Sequence, residues 1–266
     1  GCEVPLVMDR TDIENRWSIL SVGVAYRCRI LPLAWCLLPF GGTSAQVQQA
    51  LLKQIKPWLP TDERVQVYLF ADSEFRSVAV QQLCRHWHWH WQVGLKSDML
   101  FHTGDGKWRA LHTISLQPGQ RRYLQAVTLT KRHAFETVNI IANWRPSQEH
   151  PRYFALDLPA NRQAWRRGRK RFWIEPTFRD WKSMGFDLEN THIDDPERLQ
   201  VLLLGIVLTT VWMLSLGHWV CQTGKRSRLE ANHKCDYSLF RLGRDYVQRA
   251  FVMGWPIPVR FQVSLT

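Results

Sequence analysis

Between Pro5 and Leu95 the hydrophobic period of the sequence switches in a fixed order, and that order limits the fold more than any other feature. Pro5–Asp9 (PLVMD) is a short apolar run that ends on a carboxylate, and Trp17–Tyr26 and Arg27–Trp35 follow as β-rich runs. Gly41-Gly42-Thr43-Ser44 reads as a loop and helix cap ahead of Ala45–Trp58, where Val47, Leu51, Leu52, Ile55 and Trp58 recur at helical spacing. Val65–Phe70 (VQVYLF) predicts a fourth strand that again delivers a carboxylate, Asp72, at its end. Phe75–Arg85 predicts a second helix, and His86–Leu95 alternates as a fifth strand. Three strands, helix, strand, helix, strand is an α/β pattern, and the simplest topology folds the first three strands as an antiparallel run.

After Lys96 the pattern changes. Residues 98–160 are rich in turns (Gly104-Asp105-Gly106, Gln117-Pro118-Gly119), with β-type runs at Arg121–Thr130, Thr137–Trp144 and Tyr153–Leu158. This stretch is expected to be a β-rich insertion that needs no helix. Asn161–Lys170 reads as a basic connector, and helices then dominate to about Met253. The expected division is therefore 1–97 as the first part of the core, 98–160 as the insertion, and 161–266 as the second part.

Charge narrows the partners. Thirty-five Lys+Arg against 23 Asp+Glu leave a formal charge of +12, which favours polyanions such as nucleic acid. Six cysteines stand far apart without a Cys-x-x-Cys pair, and neither a zinc site nor a disulfide scaffold is expected. No secretory leader is recognisable, which points to the cytoplasm. Leu199–Val220 approaches the length of a membrane span, but Gln200, Gly205, Thr209, Thr210 and Ser215 interrupt it, and Asp194-Asp195-Pro196-Glu197 precedes it as a helix start. A buried core helix, with no membrane partner, is the expectation. The chain opens at Gly1 and enters a strand pattern at once, so an amino-terminal piece is expected to be missing.

Two strands that end in aspartate, if they are neighbours, point Asp9 and Asp72 into one space about 5 Å across. Carboxylates that close repel unless a cation lies between them, and a hard divalent ion with oxygen ligands meets that need. Taken singly, each Asp is more simply a strand end or a cap. Glu175 and Lys182 lie seven residues apart, within about 20° of one helix face. Pro176 is harmless only in a first turn, so that helix is expected to begin near Trp173. Arg162–Lys182 carries eight Lys/Arg against Glu175 and Asp180. A solvated face is the usual reason for such a run, but beside a carboxylate cluster contact with DNA backbone is favoured. His86-Trp87-His88-Trp89-His90-Trp91 is read as strand packing rather than a metal site, and Trp108 and Trp144 are candidates for stacking on an unpaired base.

The segments VMDRTD, FADSEFRS and RFWIEPTFRDWKSMGFDLENTH resemble, in order and spacing, the three catalytic blocks of bacterial insertion-sequence transposases of the DDE class. The last resembles the subgroup signature Tyr-x2-Arg-x3-Glu-x6-Lys: Arg171, Glu175 and Lys182 match, while Gly168 stands at the tyrosine position. Ser238–Gly243 (SLFRLG) resembles the family's carboxy-terminal segment. The resemblance implies a ribonuclease H-like mixed sheet flanked by helices, with a β-rich insertion between the second Asp and the Glu. It implies that Asp9, Asp72 and Glu175 are catalytic and hold two Mg²⁺ ions, with Mn²⁺ as a substitute, Asp9 bridging both. Arg171, Lys182, Arg179 and Arg10 are the expected phosphate-binding residues. The implied partners are double-stranded DNA, as transposon ends and target, and a second copy of the chain on DNA, in a bacterial cytoplasm and nucleoid. The competing expectation is a transposase-derived DNA-binding protein without activity.

Overall fold

The apolar runs pair in registers that send alternate side chains to two buried faces of one sheet, as the pleat of a strand requires. A computed structural model describes residues 2–130, 137–231 and 235–262. The chain divides into two compact units, residues 1–25 with 33–175, and residues 26–32 with 176–266. The stretch from Asn161 to Glu175 thus belongs with the first.

In the first unit, β1 (Cys2–Ile13) pairs antiparallel with β2 (Trp17–Tyr26) and parallel with β4 (Val65–Ala71). Edge strand β3 (Arg29–Pro39) lies beside β2, and its turn end, residues 26–32, groups with the second unit. β5 (His90–Leu95) is parallel to β4, and β10 (Arg152–Leu156) closes antiparallel on β5. The sheet then continues through β9 (Val138–Asn143), β8 (Arg121–Leu129), β6 (Leu100–His102) and β7 (Arg109–Ala110). Its full order is β3-β2-β1-β4-β5-β10-β9-β8-β6-β7, ten strands of mixed direction.

Helix α1 (Ala45–Ile55), capped by the Ser44 hydroxyl, brings Leu51, Leu52 and Ile55 onto Leu6, Met8, Leu69 and Val93. Val80 and Cys84 of α2 (Val78–His86) join the same cluster. The opposite face is covered by α3 (Arg162–Gly168), whose Ala164 and Trp165 pack on Ile141, Phe154 and Leu156. Along β10 the two faces alternate residue by residue: Tyr153 and Ala155 enter the first cluster, Phe154 and Leu156 the second.

The second unit is built on α5 (Pro196–Gln222) and α6 (Leu239–Met253). Asp195 caps α5, its carboxylate accepting from the Arg198 N–H at 2.8 Å, and Ser238 caps α6. Leu216 and Val220 of α5 pack on Leu242, Tyr246 and Ala250 of α6. Arg29 reaches Asp180 at 2.5 Å, and Thr177 accepts the Ile30 N–H at 3.0 Å.

Several expectations change. The alternating His/Trp run is not one strand. His86 ends α2, and His88 takes a left-handed φ of 56°. The Trp89 N–H then reaches Cys84 O at 2.8 Å and the His88 N–H reaches Arg85 O at 3.0 Å, the bond pair of a Schellman stop. Only His90 onward is strand. Asn161–Lys170 is not a connector: the Asn161 side chain accepts from the Ala164 N–H at 2.8 Å and starts α3. Helical backbone then runs on, as a 3₁₀ turn over Arg169–Trp173 and as α4 (Ile174–Arg179), so Pro176 lies inside a longer helical stretch. Residues 98–160 include a 3₁₀ turn at Leu111–Thr113. Helix α5 is buried on one face only: Leu199, Leu203, Ile206 and Leu214 are inside, while Val201, Leu204 and Leu208 are 71%, 47% and 51% exposed. By length and composition it is the one helix among the described residues that passes as a membrane span, with half of that apolar window buried.

Candidate active site

Sheet register places the first two carboxylates. Parallel pairing of β1 with β4 ends at Met8 opposite Ala71, so Asp9 and Asp72 follow at the same level on neighbouring strands. Contrary to the expectation from the sequence, Asp9 does not end its strand. β1 continues to Ile13 by pairing with β2 alone, and Asp9 marks the point where β4 peels away. Asp72 leaves β4 as the cap of a short 3₁₀ turn, Ser73–Phe75, and accepts the Ser73 N–H at 2.6 Å. Gly94 on β5 makes room for it: a Cβ there would lie 2.9 Å from Asp72 Oδ1 and 2.8 Å from Ser73 N.

The third carboxylate arrives on helical backbone. Arg171 in the 3₁₀ turn and Glu175 on α4 are one helical turn apart, and Arg171 Nη1 meets Glu175 Oε1 at 2.8 Å. Its Nη2 meets Asp72 Oδ2 at 2.6 Å. One guanidinium, 8% exposed, thus bridges two carboxylates that are 46% and 52% exposed. The planar fork of arginine suits that double contact.

Asp9 feels the whole cluster. Burial pushes its carboxyl up to about 6, and the charges of Asp72 and Glu175 push the same way. Arg171 and the Arg10 N–H, 2.9 Å away, oppose the rise. Asp72 differs: burial raises it, but Arg171 beside it and the Ser73 N–H outweigh burial and hold it below the ordinary range. Two adjacent carboxyls with pKa values driven apart are a common feature of reactive sites.

Because the folded pKa of Asp9 lies above the ordinary 3.8, the folded state holds the extra proton between about pH 4 and pH 6. Stability then falls as pH rises through that window, and the ionised carboxylate is a net cost above it. In the absence of divalent ions, Asp9→Asn is expected to stabilise the protein at pH 8 by about 2 kcal/mol, discounted from the full shift for partial exposure. Urea denaturation of both proteins should give curves that converge below pH 4. A variant less stable than the parent at pH 8 would contradict this reading.

Asp72, Arg171 and Glu175 line a cavity of about 830 Å³ together with Trp144, His150 and Arg152. The three carboxylates Asp9, Asp72 and Glu175 offer only oxygen donors, which suit a hard divalent cation. Among the described residues no three His, Cys, Asp or Glu side chains stand close enough to enclose a metal ion as they are. Arg171 takes the bridging position between Asp72 and Glu175, so a cation entering there must draw at least one of them off the guanidinium.

Of the remaining expected residues, Arg10 and Lys182 are engaged by neighbours of their own. The Arg10 guanidinium turns to Asp12 at 2.7 Å, Glu74 at 3.1 Å and Gly41 O, where it braces the loop before α1. Lys182 and Arg179 belong to the second unit, where Lys182 pairs with Glu189 at 2.6 Å. A π-helical turn over Asp180–Met184 interrupts the regular phase on which a shared face for Glu175 and Lys182 depended. Sequence reasoning missed Arg152, whose charge reaches Asp72, and Gly94. A glycine flanked by apolar strand residues was the available signal for a close approach.

A family model described as "Transposase DDE domain" matches residues 41–212. Its span includes Asp72, Arg171, Glu175 and Lys182 but not Asp9. A search of curated proteins finds no match to this chain. Among solved structures, the chain is similar to a piggyBac transposase determined by cryo-EM in a synaptic complex with hairpin DNA. The two are 10% identical with a TM-score of 0.47, and the match covers 92% of this chain and 51% of that one. This chain spans about half the length of that protein.

Proposed function

The chain belongs to the transposase DDE domain family, and from that premise we propose that it cuts and joins DNA with divalent cations held by Asp9, Asp72 and Glu175. The observation that carries this reading is the cluster itself. A single buried guanidinium spans Asp72 and Glu175, and Asp9 responds electrostatically to all three groups. A shared cation is what such a cluster requires, and the reading assigns that place to two Mg²⁺ ions, or Mn²⁺, when the site is loaded. Bound there, the ions would supply charge stabilisation for the attacking and leaving oxygens of an in-line displacement at a phosphodiester.

In this account a water oxygen attacks the phosphorus at a transposon end, the P–O3′ bond breaks, and a free 3′-hydroxyl results. That hydroxyl then attacks a phosphodiester of target DNA, and a new bond replaces the one broken. Asp9, Asp72 and Glu175 would hold the ions through their carboxylate oxygens. Arg171, once drawn off the carboxylates, donates to a phosphate, and Lys182 and Arg179 extend that grip. On this reading the sheet is ribonuclease H-like, with residues 98–160 as the insertion between the second Asp and the Glu. The source is then a bacterial insertion sequence of the Tyr-Arg-Glu-Lys subgroup, its protein acting as a homodimer on double-stranded DNA in the cytoplasm.

The test is a nicking assay of the full chain on duplex DNA taken from the flanks of its own coding sequence. Mg²⁺- or Mn²⁺-dependent nicks that leave 3′-hydroxyl ends are expected. Binding without nicking under any divalent ion would favour the inactive, DNA-binding alternative.

A further inference from the structure

Four arginines gather beside the carboxylates, close enough for Arg152 to feel the charge of Asp72 and Arg145 that of Glu175. Arg121 stands on β8, Arg145 follows β9, Arg152 opens β10, and Arg169 lies in the turn after α3. Arg121 lies over the Trp165 ring at 4.6 Å and Arg145 over the same ring at 5.8 Å. Arg145 and Arg152 each lie 5.2 Å from the centre of the Phe172 ring. Among the described residues no carboxylate lies within ion-pair distance of any of the four. Burial pushes the Arg145 guanidinium down, and the charges of Arg169, Arg152 and Arg121 push it further the same way, with Glu175 opposing them only in part.

Like charges gathered this way destabilise the free protein, so the arrangement needs a ligand that repays it. Aromatic rings occupy guanidinium faces, while the N–H groups lie in the guanidinium plane and point outward at its edge. Arg121 spends Nε on Asn143 Oδ1 at 2.9 Å and Nη1 on the Tyr123 hydroxyl at 3.4 Å. Arg152 gives Nε and Nη2 to the Gln148 amide oxygen at 2.8 and 3.2 Å, which leaves Arg121 Nη2 and Arg152 Nη1 for a ligand. Edge-on guanidinium groups recognise phosphate oxygens in pairs. Arg152 also lines the cavity that holds Asp72 and Glu175, so the basic wall is continuous with the carboxylate cluster.

We infer that Arg121, Arg145, Arg152 and Arg169 form a phosphate clamp, distinct from the carboxylates, that grips consecutive backbone phosphates of the DNA strand entering the cavity. The inference rests on the DNA-cleaving reading for its ligand, but its test needs no cleavage. Binding of the full chain is measured in EDTA against NaCl, on one duplex from the coding-sequence flank and one of unrelated sequence. Each phosphate contact contributes about 0.9 to the slope of log K against log salt on duplex DNA.

Arg145→Gln with Arg152→Gln is expected to flatten the slope by about 2 on both duplexes alike. Asp9→Asn and Glu175→Gln should retain the parental slope. The charge-preserving pair Arg145→Lys with Arg152→Lys should keep most of it. An unchanged slope in the glutamine variant overturns the clamp, as does an equal loss in the lysine variant, since packing on Phe172 would then be the cause. A flattened slope in a protein that never nicks DNA keeps the clamp and removes the cleavage reading. Normal nicking with unaltered binding in the glutamine variant does the reverse.

Discussion

Asp9→Asn is expected to lower DNA nicking by about 10³-fold or more while leaving binding to duplex DNA in EDTA within about twofold. Charge stabilisation by bound cations is worth several kcal/mol at a phosphodiester, and each 1.4 kcal/mol is about tenfold in rate. Asn keeps the shape of Asp9 and can still accept the Arg10 N–H, but it removes the negative charge that a cation needs. Asp72→Asn and Glu175→Gln should fall in the same range, because each removes one member of the same cluster. The assay is single-turnover cleavage of the coding-sequence flank, with binding measured separately. Nicking at the parental rate by any of the three would remove that residue from the site. The same Asp9→Asn change is expected to raise stability at pH 8, so activity and stability should move in opposite directions, as they do where function keeps a strained arrangement.

The second large effect concerns Arg171. Arg171→Gln removes the cation that bridges Asp72 and Glu175 and leaves Asp9 facing two carboxylates that have lost their nearest counter-charge. Breaking a fully buried pair costs about 3–5 kcal/mol, and because the partner carboxylates are half-exposed the expected loss is about 2–3 kcal/mol. The loss should be largest near pH 8 without divalent ions. It should shrink toward pH 5, where Asp9 takes up a proton, and on addition of millimolar Mg²⁺. Chemical denaturation across those conditions reads the effect. A variant as stable as the parent in EDTA at pH 8 would mean that the bridge carries little weight.

Much of this was legible in the residues. VQVYLF and PLVMD are apolar runs too short for helices, and each leads to an aspartate where the parallel pairing of β1 with β4 ends, so the placing of Asp9 beside Asp72 could be anticipated. Arg171 and Glu175 were visible as a helical i, i+4 pair within a basic run. Their arrangement was not. Arg171 was expected to hold phosphate, yet here it holds two carboxylates, because a desolvated guanidinium takes the nearest anions and their positions depend on three separate elements.

The His86–Trp91 run misled for a local reason: strict alternation mimics a strand, and nothing in the pattern marks His88 as the left-handed residue that stops α2. Gly168 is clearer in the fold than in the sequence. Where the resembling signature has tyrosine, a Cβ would lie 2.0 Å from the buried Gln92 amide, so the departure is matched by its surroundings. The arginine wall was invisible because Arg121, Arg145 and Arg152 are scattered over three strand ends and meet only through sheet pairing.

If Asp9, Asp72 and Glu175 together hold divalent cations, a heavier ion of the same kind must enter among them. Anomalous diffraction from crystals of the full chain soaked in Mn²⁺ tests it most directly. The account predicts two peaks roughly 3.5–4 Å apart among these carboxylates, with Arg171 turned off at least one of them. Absence of manganese there at saturating concentration, with Arg171 still bridging Asp72 and Glu175 while the dissolved protein nicks DNA, would contradict it.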